Sequence, residues 1–260
     1  MRDDDYDRDD EPLPPRRKSG SGCVTAVIIG GIVLLVGAVL VVPIAACLIG
    51  LMLPAVQKVR VAAQKTKSAN DMRQIGLALH NYQSTYNQFP APYSTTRDGK
   101  PGLSWRVEIL PFLGDPQYEV LYKQFDFKEA WDSPKNLALI AQMPKIYGPP
   151  GSSETHVRVF VGGGAAFEPG KKMKLTDFRD GMSNTILAVE AAGAVPWTKP
   201  DELNYDPKAP LPALGDPWRD TVMVLMADGS VKNIRKSAPP AGWHAAITRA
   251  GGEMLGPEWQ

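Results

Sequence analysis

Cysteine is nearly absent from this 260-residue chain. The two present are Cys23 and Cys47. A helix would hold them about 36 Å apart at 1.5 Å per residue, too far to bond to each other. Nothing after Cys47 is a cysteine. That part of the chain therefore has no disulfide, and cysteine usage does not report its compartment. Histidine is also scarce, with three residues. His80 has no second His or Cys at metal-ligand spacing, and a lone helical His is more often a boundary residue than a ligand. His156, His244 and Ser183 lack a local nucleophile signature. Neither charge is in excess. The 29 basic and 28 acidic residues leave +1, which removes the global field a nucleic-acid partner would need. EF-hand spacing and internal repeats are missing. The Gly162-Gly163-Gly164 run is followed by no GK[ST] and opens no helix, so it is not a phosphate-binding loop. We expect no nucleic-acid partner, no cofactor and no metal.

The most telling absence is local. No charged residue lies between Lys18 and Lys58. Val24 to Leu53 reads VTAVIIGGIVLLVGAVLVVPIAACLIGLML. A bilayer core needs about 20 apolar residues, so this run predicts a membrane-spanning helix. Buried core helices rarely run so long without a polar face, and a cleaved signal has a shorter apolar core. Gly30 and Gly37 are tolerated in such a helix, and Pro43 and Pro54 are expected to kink it or mark its exit. Before it, residues 1–22 are acidic, then basic and Pro-rich, and are read as a disordered tail. Arg16, Arg17 and Lys18 on one side nearly balance Lys58, Arg60, Lys65 and Lys67 on the other. Charge alone does not orient the span.

Residues 54–90 continue as an amphipathic stem helix. Val56, Val59, Met72, Ile75, Leu79 and Tyr82 form its apolar stripe, largely at steps of three and four. Pro90 and Pro92 end it. Residues 91–260 make up the main domain. Asp98-Gly99 is a turn. WRVEILPFL and YEVLYKQF predict short helices broken by Pro111 and Pro116. Ser133-Pro134 starts another, with Leu137, Ile140 and Ala141 facing inward. HVRVFV, from His156, and TILAVE, from Thr185, alternate as strands. Residues 191–220 form a long Pro-rich loop. TVMVLMA, Asp228-Gly229 and SVKNI form a β-hairpin. Trp243 to Arg249 is a short helix stopped by Gly251-Gly252. The order predicts an α+β domain on a helical stem.

Several blocks now fall into a familiar series. LMLPAVQKVRVAAQKTKSANDMRQIGLALHNYQSTYNQFP resembles the signal-helix end and stem of prepilin-like proteins. Ser104–Leu113, Trp131-Asp132-Ser133-Pro134, DGMSNTIL from Asp180, Val195-Pro196-Trp197-Thr198, and LMADGSV from Leu225 follow in order. Over about residues 51–252 the chain resembles the bacterial DUF1559 family of unknown function. That family has prepilin-type N termini and a C-terminal His-x9-Asp-Gly motif. The matching positions are Asp180, Gly181, Asn184, Asp228 and Gly229. The resemblance implies a pilin-like fold, with the long helix packed on an antiparallel sheet. It also implies a cytoplasmic N-terminus and a domain outside the bacterial inner membrane. The chain departs from the pattern in places. Gly22 precedes Cys23, but Val27 stands where prepilins carry an acid. Trp218 stands where the family's His would be. Ser68 lies near the position of the family's stem Cys. Ile44-Ala45-Ala46-Cys47 offers a second processing site, of lipoprotein form, so an intact N-terminus and two processed ones all remain open.

Little in the sequence points to catalysis. Asp177, Asp180, Glu190 and Asp228 lie at strand ends or turns, and turn roles account for Asp180 and Asp228. Glu190 is the best candidate for a buried acid, with a salt bridge to Arg158 or Arg179 as the simpler role. Trp197, Tyr205 and Trp218 could form an aromatic ligand surface, although such residues more often pin a Pro-rich loop to its domain. The expected function is non-catalytic: a single-pass, pseudopilin-like structural or interaction component of a secretion or envelope system. Its expected partners are the lipid bilayer and other pseudopilin-like subunits or envelope proteins. The alternative is an anchored glycan-binding module.

Overall fold

In the computed structural model, residues 21–259 are described, and the side chains of all of these except residues 21–25, 33, 36 and 38–55. Helix α1 (Ser21–Tyr86) is followed by the ribbon strands β1 (Tyr93–Thr95) and β2 (Pro101–Ser104). Then come helices α2 (Trp105–Glu108), α3 (Pro116–Gln124) and α4 (Pro134–Leu137). Strands β3 (Glu154–Arg158), β4 (Phe160–Val161), β5 (Ile186–Pro196), β6 (Leu203–Asn204), β7 (Thr221–Met226) and β8 (Val231–Arg235) precede α5 (Pro240–Ile247). Two compact units are present, residues 1–62 and 63–260.

Within the first unit the only described element is α1. Val27, Ile28, Ile29, Ile32, Leu34 and Leu35 are exposed on it. Val24, Pro43, Cys47 and Leu53 of the expected span have side chains outside the described residues, as does most of the apolar run. Among the described residues no helix is long and apolar enough to cross a membrane. The helix continues through Pro43 and Pro54, so neither proline ends it. Gly30 and Gly37 have open space around them. Val56 and Val59 are exposed, which corrects the expected stripe at its start: among the described residues of this unit no second element covers them. The tail, up to residue 20, lies outside the described residues.

The second unit is a mixed α+β body built on an antiparallel sheet of order β3-β5-β7-β8. The β7 strand shows why both sheet faces are covered. Its side chains alternate: Met223 and Leu225 enter one core, while Val222, Val224 and Met226 enter the other. The period of two in a strand makes this the direct result of an apolar run. The first core includes Met72, Ile75, Ala78, Leu79 and Tyr82 from the last part of α1. The second includes Trp243, Ala246 and Ile247 from α5, with Trp259. The buried face of α1 thus begins near Met72 and ends at Tyr82 and Gln83. Asn87, at φ +57°, turns the chain out of the helix before Pro90 is reached.

Other elements differ locally from expectation. Pro116 opens α3 rather than breaking a helix, because Asp115 accepts from the Gln117 N–H as its cap. Ser133 caps α4 as expected, but the helix makes one turn and Leu137 and Ala141 are exposed. Asn136 is the buried residue there, bonding to the backbone of Asp126 and Ala130. The expected loop from 191 begins inside β5, which runs to Pro196. α5 starts at Pro240, three residues before the expected helix. β4 pairs with β6 in parallel, outside the main sheet.

The helix comes close to the sheet at Gly76. A Cβ there would sit 2.9 Å from Leu225 Cδ1 and 3.5 Å from Gly229 Cα. Leu225 is itself fully buried and has little room to yield. Gly76→Val is therefore expected to cost about 2–3 kcal/mol by overpacking. A denaturant titration of the full chain in detergent, followed by tryptophan fluorescence, should show the loss. An unchanged midpoint would mean that the helix does not press on the hairpin.

Candidate functional site

The family-like motif residues come together at one end of the sheet. Asp180 accepts from the Gly251 N–H at 2.7 Å and the Gly252 N–H at 2.9 Å. Its own carbonyl accepts from Asn184 Nδ2 at 2.8 Å. Gly181 has φ +97°, a conformation that β-carbon residues avoid. The Asp228-Gly229 turn lies alongside: the Asp228 N–H donates to Met182 O at 3.0 Å, and the Ala227 N–H to Thr185 O at 2.7 Å. Asp228 closes its own turn by accepting from the Ser230 N–H. Gly229, at φ +85°, lies against the His80 ring. These two acids therefore tie backbone segments together. The groove beside them, about 510 Å³, includes Arg179, Asn184, Lys232 and Met254.

The other acids are also engaged. Asp177 accepts from the Lys174 N–H. Glu190 meets Arg219 at 3.3 Å, not Arg158 or Arg179. Arg158 instead binds Asp201 at 2.7 Å. Among the described residues no group of three or more His, Cys, Asp or Glu could hold a metal ion. His156 Nδ1 lies 3.0 Å from Ala191 O, and His244 Nδ1 lies 2.8 Å from the Tyr205 hydroxyl.

The three aromatics do not form one surface. Trp197 is fully buried, donates from Nε1 to Ile140 O, and stacks on Tyr147. Tyr205 is buried against Phe160 and His244. Trp218 alone is out, 92 % exposed. Two of the three thus do what bulky apolar rings usually do when a loop is pinned to a core.

Sequence reasoning missed the most elaborate polar centre. Arg106 and Glu202 are fully buried and 2.9 Å apart, with side chains 0 % and 3 % exposed. Arg106 Nε donates to Trp197 O, Nη1 to Val157 O and Nη2 to Lys199 O, at 2.8, 2.8 and 3.0 Å. Glu202 accepts from the Val159 N–H and from Ser104 Oγ. Burial pushes the Glu202 carboxyl up, and Arg106 opposes that shift. A guanidinium keeps its charge regardless. The only signal was an arginine inside an apolar run, WRVEILPFL. The partner lies almost a hundred residues later, and no spacing rule reaches it.

A second buried cluster joins Tyr82 to Glu108 at 3.1 Å and to Lys172 Nζ at 2.7 Å. Burial raises both the Tyr82 hydroxyl and the Glu108 carboxyl, with Lys172 opposing the latter. This fixes the end of α1 to the body of the second unit.

Arg106→Met should cost about 3–5 kcal/mol, since it strands a buried carboxylate. Arg106→Met/Glu202→Leu should recover part of the loss, because no charge is left unpaired. Denaturant titration of the full chain would show this. A single-variant cost under about 1 kcal/mol would place the pair among ordinary surface contacts.

No curated protein matches the chain, and no solved structure matches it. Residues 57–157 match the model of a family described as a protein of unknown function (DUF1559). Over that stretch, from within α1 to β3, the chain is similar to this family.

Proposed function

We propose that the protein is a non-catalytic, single-pass membrane component whose domain works outside the bacterial inner membrane as a pseudopilin-like structural or interaction subunit. One observation carries the reading. The uncharged run from Val24 to Leu53 and the stripe from Met72 to Tyr82 belong to one helix, α1. Thirty uncharged residues are long enough to cross a bilayer with tilt. The exposed Val27, Ile28, Ile29, Ile32, Leu34 and Leu35 suit a lipid environment. Lys58, Arg60, Lys65 and Lys67 then follow at a spacing suited to anionic headgroups. The similarity of residues 57–157 to DUF1559 agrees with the family resemblance from which the prepilin-like reading is drawn. The engaged state of the acids near the family-like motif supports a binding or structural role over hydrolysis.

The orientation follows from the family resemblance, because the flanking charges nearly cancel. Val27 at the position of the prepilin acid argues for a permanent anchor over a fibre subunit. In lipid that acid would neutralise a neighbour's amine, and an unpaired charge there is costly.

Two measurements test the reading. The protein should stay with membranes through an alkaline carbonate wash, and Leu34→Arg/Leu35→Arg should release it. In a Cys23→Ser/Cys47→Ser background, Ser152→Cys should react with an impermeant maleimide in intact spheroplasts. Labelling only after lysis would put the domain on the other side and overturn the proposal.

A further inference from the structure

A cleft of about 610 Å³ opens at the turn of the β1–β2 ribbon, facing the segment that leads into α4. Its walls include Thr96 to Asp98 and Lys100 on one side, Lys128 to Asp132 on the other, and Pro200 at one end. The volume lies within the range of small-molecule sites.

The walls are held in place by bonds that leave the charged side chains of the cleft free. The Arg97 N–H donates to Lys128 O at 3.1 Å, joining the two sides. Thr96 closes the ribbon turn on Lys100 through both its N–H and its hydroxyl. Asn136 grips the second wall from behind, through Asp126 and Ala130. At Gly102 a Cβ would meet Ser94 Oγ at 2.6 Å and Glu129 O at 3.3 Å, so only a bare backbone lets the ribbon approach the wall so closely.

The charged groups of the cleft are unengaged. Arg97, Lys100 and Lys128 line it with Asp98, Glu129 and Asp132, and all six are exposed. Nearby pairs elsewhere on the surface do close, such as Lys199 with Asp201 at 2.9 Å and Lys135 with Asp126 at 3.8 Å. The cleft's own three cations and three acids form no ion pair with one another at that range. Their charges cancel, so the cleft has no net field with which to select an anion or a cation. What it offers instead is a dense alternation of hydrogen-bond donors and acceptors beside an indole. Trp131 is half-buried in the wall, packed on the core below and with Lys199 Nζ 5.8 Å from its ring centre.

We propose that this cleft is a carbohydrate-binding site for neutral oligosaccharides, with Trp131 as the stacking platform. A sugar presents an apolar ring face ringed by hydroxyls, each both donor and acceptor. Cations satisfy the hydroxyl lone pairs and carboxylates accept the hydroxyl protons. An apolar ligand would leave six charged groups without partners, and a strongly charged one would meet three repulsive groups as well as three attractive ones. The site is separate from the anchor and the stem: it needs neither a membrane nor assembly, and stands if that reading fails.

The test is titration calorimetry on the full-length protein in detergent micelles. The probes are maltotriose, cellotriose, xylotriose and chitotriose, with triglutamate and trilysine as charged comparisons. At least one neutral trisaccharide should bind saturably, and neither peptide should. Trp131→Ala should weaken that binding about tenfold, the scale of one lost aromatic contact, while Trp218→Ala leaves it unchanged. Because Trp131 also packs on the core, Arg97→Met/Asp132→Asn serves as the second variant. It alters only exposed side chains, and is expected to weaken binding several-fold at an unchanged melting temperature. Binding of a charged peptide alone, binding of none of the four sugars, or sugar binding indifferent to the cleft variants would each overturn the proposal.

Discussion

The second unit depends on a buried charge that it cannot leave unpaired. Arg106 sits in a short helix, and its guanidinium reaches three backbone carbonyls, one in β3 and two in the stretch between β5 and β6, while holding Glu202 at 2.9 Å. An ion pair taken out of water is no simple gain in stability, since desolvation offsets most of the attraction. Its effect is on specificity. Each of the guanidinium's bonded partners must be in place at once, so β3, the stretch after β5 and the loop leading to β6 have one arrangement that satisfies it. Trp197, whose carbonyl is one of those acceptors, has its indole held in turn by Ile140 O and its ring by Tyr147. The Tyr147 hydroxyl closes the loop by donating to Arg106 O. Polar and aromatic packing are here one network, which is why the Pro-rich stretch after β5 lies fixed against the body.

The sheet stands between two cores, and the two ends of the chain's second unit cover them differently. On one face the last turns of α1 supply a row of medium-sized side chains, and Gly76 lets the helix come down onto Leu225 and the Asp228-Gly229 turn. On the other face α5 and Trp259 form a lid of large rings. Asp180 ties the segment entering β5 to Gly251 and Gly252, which follow α5. The family-like motif is thus a clasp: it joins the start of one central strand, the turn of the next hairpin and the chain beyond the last helix.

Much of this was legible from local pattern. The β7–β8 hairpin follows from alternation around Asp-Gly, and the helix start at Ser133-Pro134 from its cap. The stripe of Met72, Ile75, Leu79 and Tyr82 follows from helical spacing. What the sequence could not show was contact at a distance. The partner of Arg106 and the choice of Arg219 over Arg158 for Glu190 are both set by strand order and loop path. Neither leaves a local trace. Period also misleads where nothing packs: Val56 and Val59 continue the stripe on paper, yet in the described structure no element lies against them. The Trp131 cleft was illegible for a related reason. Its two walls lie about thirty residues apart in the chain and meet through one backbone bond, from Arg97 to Lys128.

These two kinds of polar residue divide the labour of the domain. Arg106, Glu202, Asp180, Glu108 and Tyr82 are engaged with the protein itself, and their chemistry is spent on holding it together. The side chains of Arg97, Asp98, Lys128 and Asp132 are not, although their backbone is firmly placed. Binding sites need that combination, because a rigid frame spares a ligand the ordering cost while free side chains supply the contacts. Around the family-like motif the frame is equally firm, but Asp180 and Asp228 are already satisfied by backbone N–H groups, so an incoming ligand would have to displace bonds that hold the fold. That difference in engagement is what sets the ribbon cleft, under the proposal above, apart from the turn cluster of Asp180 and Asp228.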